Sequence, residues 1–170
     1  MSDPKKDAMI QAIKDALMVE IKGQQLYAHA AQQTQDPAAK AMFDMLAKDE
    51  DDHVNILKTQ HKSLVEEGRI NLDSVHPAEV DHGSQDVITD GFKKSMKRGQ
   101  FEMAVISIGC DLENKAIAYY KEQAEKTDNA DLKQLFTWLV EWEDGHLEQL
   151  LELEKIYQDA YWAEQGFSPM

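Results

Sequence analysis

Apolar residues recur at intervals of three and four through most of the chain, which is the period of an amphipathic helix and not of a strand. The first run, from about Asp7 to about Gln33, places Ile10, Ile13, Leu17, Tyr27 and Ala31 on one stripe. Asp36-Pro37 stops that helix and starts the next, with Asp36 as N-cap and Pro37 at the first helical position. The second helix carries Met42, Phe43, Leu46, Leu57 and Leu64 and is predicted to end near Gly68, a suitable C-cap. Periodicity then breaks between about Arg69 and about Gly99, where Asn71, Asp73, Ser74, Pro77, Gly83 and Ser84 punctuate the chain. A short helix fits near Asp86 to Lys97. A third long helix is predicted from about Gln100 to about Lys126, a turn at Asp128-Asn129, and a fourth helix from about Ala130 to about Ala163. Residues Gly166 to Met170 read as a frayed tail. The fold class is all-α.

The second half repeats the first. A shift of 93 residues (113 − 20) aligns Ile13 with Ile106, Glu20 with Glu113, Lys22 with Lys115 and Tyr27 with Tyr120. Ala31, Thr34, Lys40, Phe43, Leu46, Asp51 and Leu57 fall on Ala124, Thr127, Lys133, Phe136, Leu139, Asp144 and Leu150 without a gap. Two helical hairpins of common ancestry explain this, giving a pseudo-twofold bundle and not a solenoid.

The repeat carries chemistry. Glu20 precedes Glu50-Asp51-Asp52-His53 by 30 residues (50 − 20), and Glu113 precedes Glu143-Asp144-Gly145-His146 by 30 (143 − 113). The midpoints, residues 35 and 128, fall in the predicted turns, so each pair of glutamates sits level across an antiparallel hairpin. Each arm is about 15 residues, or roughly 22 Å, which puts the carboxylates near mid-bundle. In Glu-x-x-His the two side chains lie on one helix face a turn apart and can converge on one centre. Four carboxylates and two imidazoles, Glu20, Glu50, His53, Glu113, Glu143 and His146, form the ligand set of a di-iron or di-manganese carboxylate bundle. Four negative charges balance two divalent ions. Without metal the carboxylates cannot all remain ionised, and some take up protons. Phe43, Leu46 and Leu57 flank the first half of the set, and Leu139, Leu147 and Leu150 the second. Tyr27 and Tyr120 each follow a ligand glutamate by seven residues, two turns, and stay on its face. A phenol there can hydrogen-bond a ligand carboxylate. The alternative is a core aromatic whose hydroxyl is satisfied elsewhere.

Bulk properties narrow the setting. A chain of 170 residues suffices for one domain, 1–170. The formal charge of −14 repels phosphate backbones, so no nucleic-acid partner is expected. No secretory signal follows Met1 and no apolar run approaches a membrane span, so a cytoplasmic protein without a membrane partner is expected. One cysteine, Cys110, excludes a four-cysteine metal site and an internal disulfide framework.

These ligand residues and their spacing resemble the ferritin-like superfamily and, within it, the rubrerythrin-like proteins, over nearly the whole chain. The resemblance implies a ferritin-like four-helix bundle, two antiparallel hairpins joined by a long crossover between the second and third helices. It implies that Glu20 and His53 bind one iron, that Glu113 and His146 bind the other, and that Glu50 and Glu143 bridge them. Two Fe ions are the expected cofactor, with Mn or Zn able to substitute. The implied activity is a non-haem di-iron oxidoreductase reducing hydrogen peroxide or dioxygen. A ferroxidase serving iron storage or buffering is the alternative, a metal-binding protein without turnover a further one, and substrate hydroxylation would require a hydrophobic pocket. No catalytic residue is expected beyond the metal ligands. Full rubrerythrins also carry a four-cysteine rubredoxin-like module, which this chain lacks, so the electron donor is expected to be a separate protein, such as a rubredoxin-like one, or a small reductant. They also carry a further carboxylate three residues after the third-helix glutamate, and Ala116 stands there. The six-residue set is thus closer to the symmetric pattern of bacterioferritins. A homo-oligomer, a dimer, is the expected assembly.

Other candidates have plainer readings. Cys110, one turn before Glu113, reads as a small core residue more than a redox group. His76, Glu79, Asp81 and His82 read as a solvated loop before an accessory metal site, and His29 and His61 as surface residues. Lys93, Lys94, Lys97 and Arg98 read as a solvated helix end before a docking patch. Trp138, Trp142, Tyr157, Tyr161 and Trp162 suit core packing, or alternatively an oligomer contact.

Overall fold

In the computed structural model, residues 3–77 and 99–166 are described. The short helix expected near residues 86–97, the Lys93–Arg98 cluster, Glu79, Asp81, His82 and the tail beyond Gly166 lie outside them. Among the described residues there are four long helices and no strand. They are α1 (Pro4–Gln33), α2 (Pro37–Glu67), α3 (Gln100–Lys126) and α4 (Ala130–Glu164). None is long and apolar enough to cross a membrane.

The ends of the helices follow local chemistry. Asp3 caps α1 by accepting from the Lys5 N–H, Asp36 caps α2 by accepting from the N–H groups of Ala38 and Ala39, and Asn129 caps α4 by accepting from the Leu132 N–H. Gly68 closes α2 at φ 74°, a left-handed conformation that glycine adopts without a Cβ penalty. After α2, Gln60 clamps the backbone of Asn71 from both sides, donating to its carbonyl at 3.0 Å and accepting from its N–H at 2.8 Å. This holds Ile70 and Val75 in the core.

Within each hairpin the helices pack along their length, α1 on α2 and α3 on α4, and α1 also packs on α3. Contacts between hairpins set the topology. Tyr27 reaches Glu113 and Tyr120 reaches Glu20, so α1 and α3 are antiparallel. At one end of the bundle the α1–α2 turn meets the start of α3 and the end of α4, where Thr34 donates to Glu102 and Tyr157 donates to Asp36 at 3.3 Å. At the other end, Lys6 on α1 reaches the Val65 carbonyl near the end of α2, at 3.1 Å. Thus α2 ends and α3 begins at opposite ends of the bundle.

Two apolar layers fill the interior. One contains Ile13, Leu57, Leu64, Tyr120, Leu132, Phe136, Leu139 and Trp142. The other contains Tyr27, Met42, Phe43, Leu46, Ile106, Leu150, Leu153 and Tyr157. Of the expected stripes, Ile10, Leu17 and Leu147 are only partly buried. The helix-four aromatics divide: Trp142 and Tyr157 are core, Trp138 is partly buried, and Tyr161 and Trp162 form an exposed edge-to-face pair. His29 is exposed, whereas His61, expected at the surface, is half-buried. Cys110, expected as a small buried core residue, is half-buried at the margin of the second layer.

Asp36 joins helix capping to packing between hairpins, so its loss should be felt beyond α2. Asp36→Ala is expected to lower stability by about 2–4 kcal/mol, from the lost cap and the unpaired buried phenol. Thermal melts should show a fall of about 5–15 °C, and an unchanged melting temperature would contradict this account. Asp36→Asn, which keeps an acceptor, should recover most of the loss.

Candidate metal centre

Between the two apolar layers lies a polar one. Glu20, Glu50, His53, Glu113, Glu143 and His146 are each at most 4 % exposed. Their positions follow from the two hairpins: Glu20 from α1, Glu50 and His53 from α2, Glu113 from α3, and Glu143 and His146 from α4. Donor atoms of Glu20, Glu50, His53 and Glu143 lie within 4.8 Å of one another, as do those of Glu50, Glu113, Glu143 and His146. Each group can hold a metal ion. Glu50 and Glu143 belong to both, so the two groups share an edge made of two carboxylates.

Both imidazoles turn Nδ1 inward. His53 Nδ1 lies 3.0 Å from Glu20 Oε2 and 3.0 Å from Glu143 Oε1, the second contact lacking hydrogen-bond alignment. His146 Nδ1 lies 2.9 Å from Glu143 Oε2 and 3.4 Å from Glu50 Oε1. The two rings stack at a centroid distance of 5.5 Å.

Tyr27 and Tyr120 are fully buried and bond to glutamates of the set, but each serves the opposite hairpin. Tyr27 Oη donates to Glu113, and Tyr120 Oη donates to Glu20. Burial, with the nearby carboxylates, holds both phenols well above their ordinary pKa, so they remain donors.

A low-dielectric site cannot hold four carboxylate charges unaided. Burial, then repulsion from Glu143 and Glu50, pushes Glu20 and Glu113 well above the usual carboxylate range. Burial, then repulsion from Glu143, opposes ionisation of Glu50, but its proximity to the His146 and His53 rings outweighs both and holds it low. For Glu143 the charges of His146 and His53 likewise overcome burial and keep it ionised. Those two carboxylates in turn hold both imidazoles protonated against the cost of burial. In the metal-free layer burial and mutual repulsion thus favour the acid form of Glu20 and Glu113, while Glu50 and Glu143 favour the ionised form and both imidazoles the protonated one. Divalent cations would fit by replacing these protons. The donor set of oxygen and nitrogen atoms suits iron, manganese or zinc. A buried Glu143 Oε1 with no hydrogen-bond partner, on a residue common to both groups, also marks the layer as shaped for more than packing.

Several residues here escaped sequence reasoning. Asp49 is buried and places Oδ2 3.5 Å from His146 Nε2. Trp142 stacks on His53 at 4.9 Å with planes 16° apart. Gly23 leaves room for Glu50, since a Cβ there would come within 2.9 Å of that carboxylate. Gly109 leaves room for the Tyr27 hydroxyl, which a Cβ would meet at 3.0 Å. The repeat held a signal for the glycines. Gly23 aligns with Ala116 and Gly109 with Ala16, so a small residue stands at both positions in each copy. Burial, followed by the charges of Glu154 and Glu113, pushes the Cys110 thiol up, which disfavours the reactive thiolate.

Glu113→Gln tests the proton distribution, because Gln mimics a protonated Glu113 accepting from Tyr27. A carboxyl raised on folding makes the folded state bind more protons than the unfolded, so stability falls as pH rises above its ordinary value near 4.3. The melting temperature of metal-free Glu113→Gln should therefore exceed wild type by a margin that grows from pH 4 to pH 8. A margin independent of pH would contradict the assignment.

Comparison with family models, with curated proteins and with solved structures gives no match for this chain.

Proposed function

We propose that the protein is a non-haem di-iron oxidoreductase that reduces hydrogen peroxide, or dioxygen, at a carboxylate-bridged pair of ions. One observation carries this: the six donors fall into two overlapping groups that share Glu50 and Glu143. Glu20 and His53 would hold one ion and Glu113 and His146 the other, with the shared glutamates spanning both. When bound, a ferrous pair supplies the two electrons that, with two protons, convert peroxide to two waters. A separate donor, such as a rubredoxin-like protein, returns the electrons.

The surroundings favour a small oxidant over an organic substrate. A cavity of about 10 Å³ adjoins the four glutamates on the α1–α3 side, lined also by Val19, Gly23, Leu112 and Ala116. That is room for about one water-sized molecule. Larger concavities of about 470 and 620 Å³ are lined by other residues, such as Met9 and Leu132 in one and Gln25 and His29 in the other, and include none of the six donors. Hydroxylation of a bulky substrate has no pocket at the centre among the described residues. Tyr27 and Tyr120 hold Glu113 and Glu20 in place and, by staying protonated, add no further charge. The apolar layers above and below exclude bulk water, which strengthens each interaction between these groups and a bound cation.

Anaerobic Fe(II) or Mn(II) titration should load two ions per chain and raise the melting temperature. Glu50→Ala with Glu143→Ala should abolish uptake while helical circular dichroism persists, and undiminished metal content in that double variant would sink the assignment. Stopped-flow oxidation of the Fe(II) form should be faster with peroxide than with oxygen. The reverse order would favour the ferroxidase alternative.

Loading must also displace protons. Glu20, Glu113, His53 and His146 all bind their protons more tightly than usual, so cations compete with them and apparent affinity should rise with pH. Proton release, measured by calorimetry in buffers of differing ionisation enthalpy, should approach four per two ions near neutral pH. Release near zero would contradict the proton-filled metal-free layer.

A further inference from the structure

The pseudo-twofold that relates the two halves of the centre is broken beside the imidazoles. A shift of 93 residues carries His53 onto His146 and Asp49 onto Trp142. Each of these two residues packs against the imidazole of the other hairpin. His146 turns Nδ1 toward the glutamates, and its Nε2 faces Asp49 Oδ2 at 3.5 Å. His53 also turns Nδ1 toward the glutamates, but its ring lies flat against the Trp142 indole, and its buried Nε2 has no hydrogen-bond partner. Asp49 and Trp142 are both buried, so water does not level the difference.

The two environments act differently on an imidazole that donates through Nδ1. A carboxylate on the far N–H fixes the tautomer that leaves Nδ1 free to donate, orients the ring and makes Nδ1 a stronger donor. An indole face orients the ring by stacking but accepts nothing from Nε2–H. That N–H, once it carries the proton, remains buried and unsatisfied, a cost the other half does not bear.

Building on the metal centre proposed above, we propose that its two positions are unequal: the Glu113–His146 position, backed by Asp49, binds a divalent cation more tightly and fills first, and the Glu20–His53 position under Trp142 fills second. Asp49 is a positioning residue that acts through His146, and among the described residues nothing equivalent stands behind His53. Loss of such an outer carboxylate typically lowers metal affinity about 10- to 100-fold, which sets the expected separation between the two steps.

The test uses Zn(II), which is redox-inert, and protein labelled with ¹⁵N-histidine. His53 and His146 ring signals are assigned by His→Gln variants, and His29, His61, His76 and His82 serve as internal controls. In the wild type, His146 Nδ1 should move to its metal-bound position over the first equivalent and His53 Nδ1 over the second. Asp49→Asn should weaken the first step by about 10- to 100-fold and erase the order, while leaving metal-free circular dichroism unchanged. His53 responding first, or both rings responding in proportion over both equivalents, overturns the proposal. So does an Asp49→Asn protein with the wild-type order and affinities. In those cases the metal centre itself stands. If neither ring responds to two equivalents, the metal centre fails and this inequality fails with it. The wild-type titration decides the filling order even if the variant folds poorly.

Discussion

Six ionisable side chains share a few ångströms of space at the middle of an apolar bundle, and their mutual electrostatics constrain nearly everything around them. Taken singly, each would cost several kcal/mol to bury in charged form. Taken together, they share protons, with Glu50 and Glu143 favouring the ionised form, both imidazoles the protonated form, and Glu20 and Glu113 the acid form. This arrangement is tolerable but not relaxed. Protons occupy the places where cations of higher charge would interact with all four carboxylates at once. On the function proposed above, the same crowding that weakens the metal-free layer is what would give it affinity for a pair of divalent ions.

The supporting residues make sense against that constraint. Tyr27 and Tyr120 stabilise glutamates without adding charge, and because each reaches across to the other hairpin, they also fasten α1 to α3 at the height of the centre. Gly23 and Gly109 give up helix propensity, at about 1 kcal/mol each, and in return leave space for Glu50 and for the Tyr27 hydroxyl. The apolar layers on either side hold the polar layer between well-packed surfaces, so no donor can relax by moving toward solvent.

Much of this was legible in the chain because the spacing and the turn chemistry agree. Asp36-Pro37 and Asp128-Asn129 fall at the midpoints of the glutamate pairs, and that alone brings Glu20 level with Glu50 and Glu113 level with Glu143. The helix limits read from capping residues match α2 and α3, and differ from α1 and α4 by a few residues at ends where Pro4 and Glu164 extend the helices. What spacing could not supply is which hairpin a side chain serves. Tyr27 shares a face with Glu20 but bonds Glu113, because the α1–α3 contact and not the α1 face sets its reach. Asp49 looked like one more acid in an acidic run, Asp49-Glu50-Asp51-Asp52. Only the packing of α2 against α4 separates it from Asp51, which is exposed.

The repeat both reveals the centre and conceals its asymmetry. Identities between the two copies single out the donors, Tyr27 and Tyr120, and the apolar flanks. Differences between the copies drop out of such a comparison, although a duplicated site can acquire unequal halves only through them. Asp49 opposite Trp142 is the difference that touches the two imidazoles. It contrasts a carboxylate with an aromatic face at two imidazoles that both turn Nδ1 toward the glutamates. On the function proposed above, a two-electron reaction at a pair of ions would not need identical positions, and unequal ones would give an incoming oxidant a preferred end. The repeated spacing of the two hairpins brings the six donors together, and divergence at Asp49 and Trp142 gives the two imidazoles different neighbours.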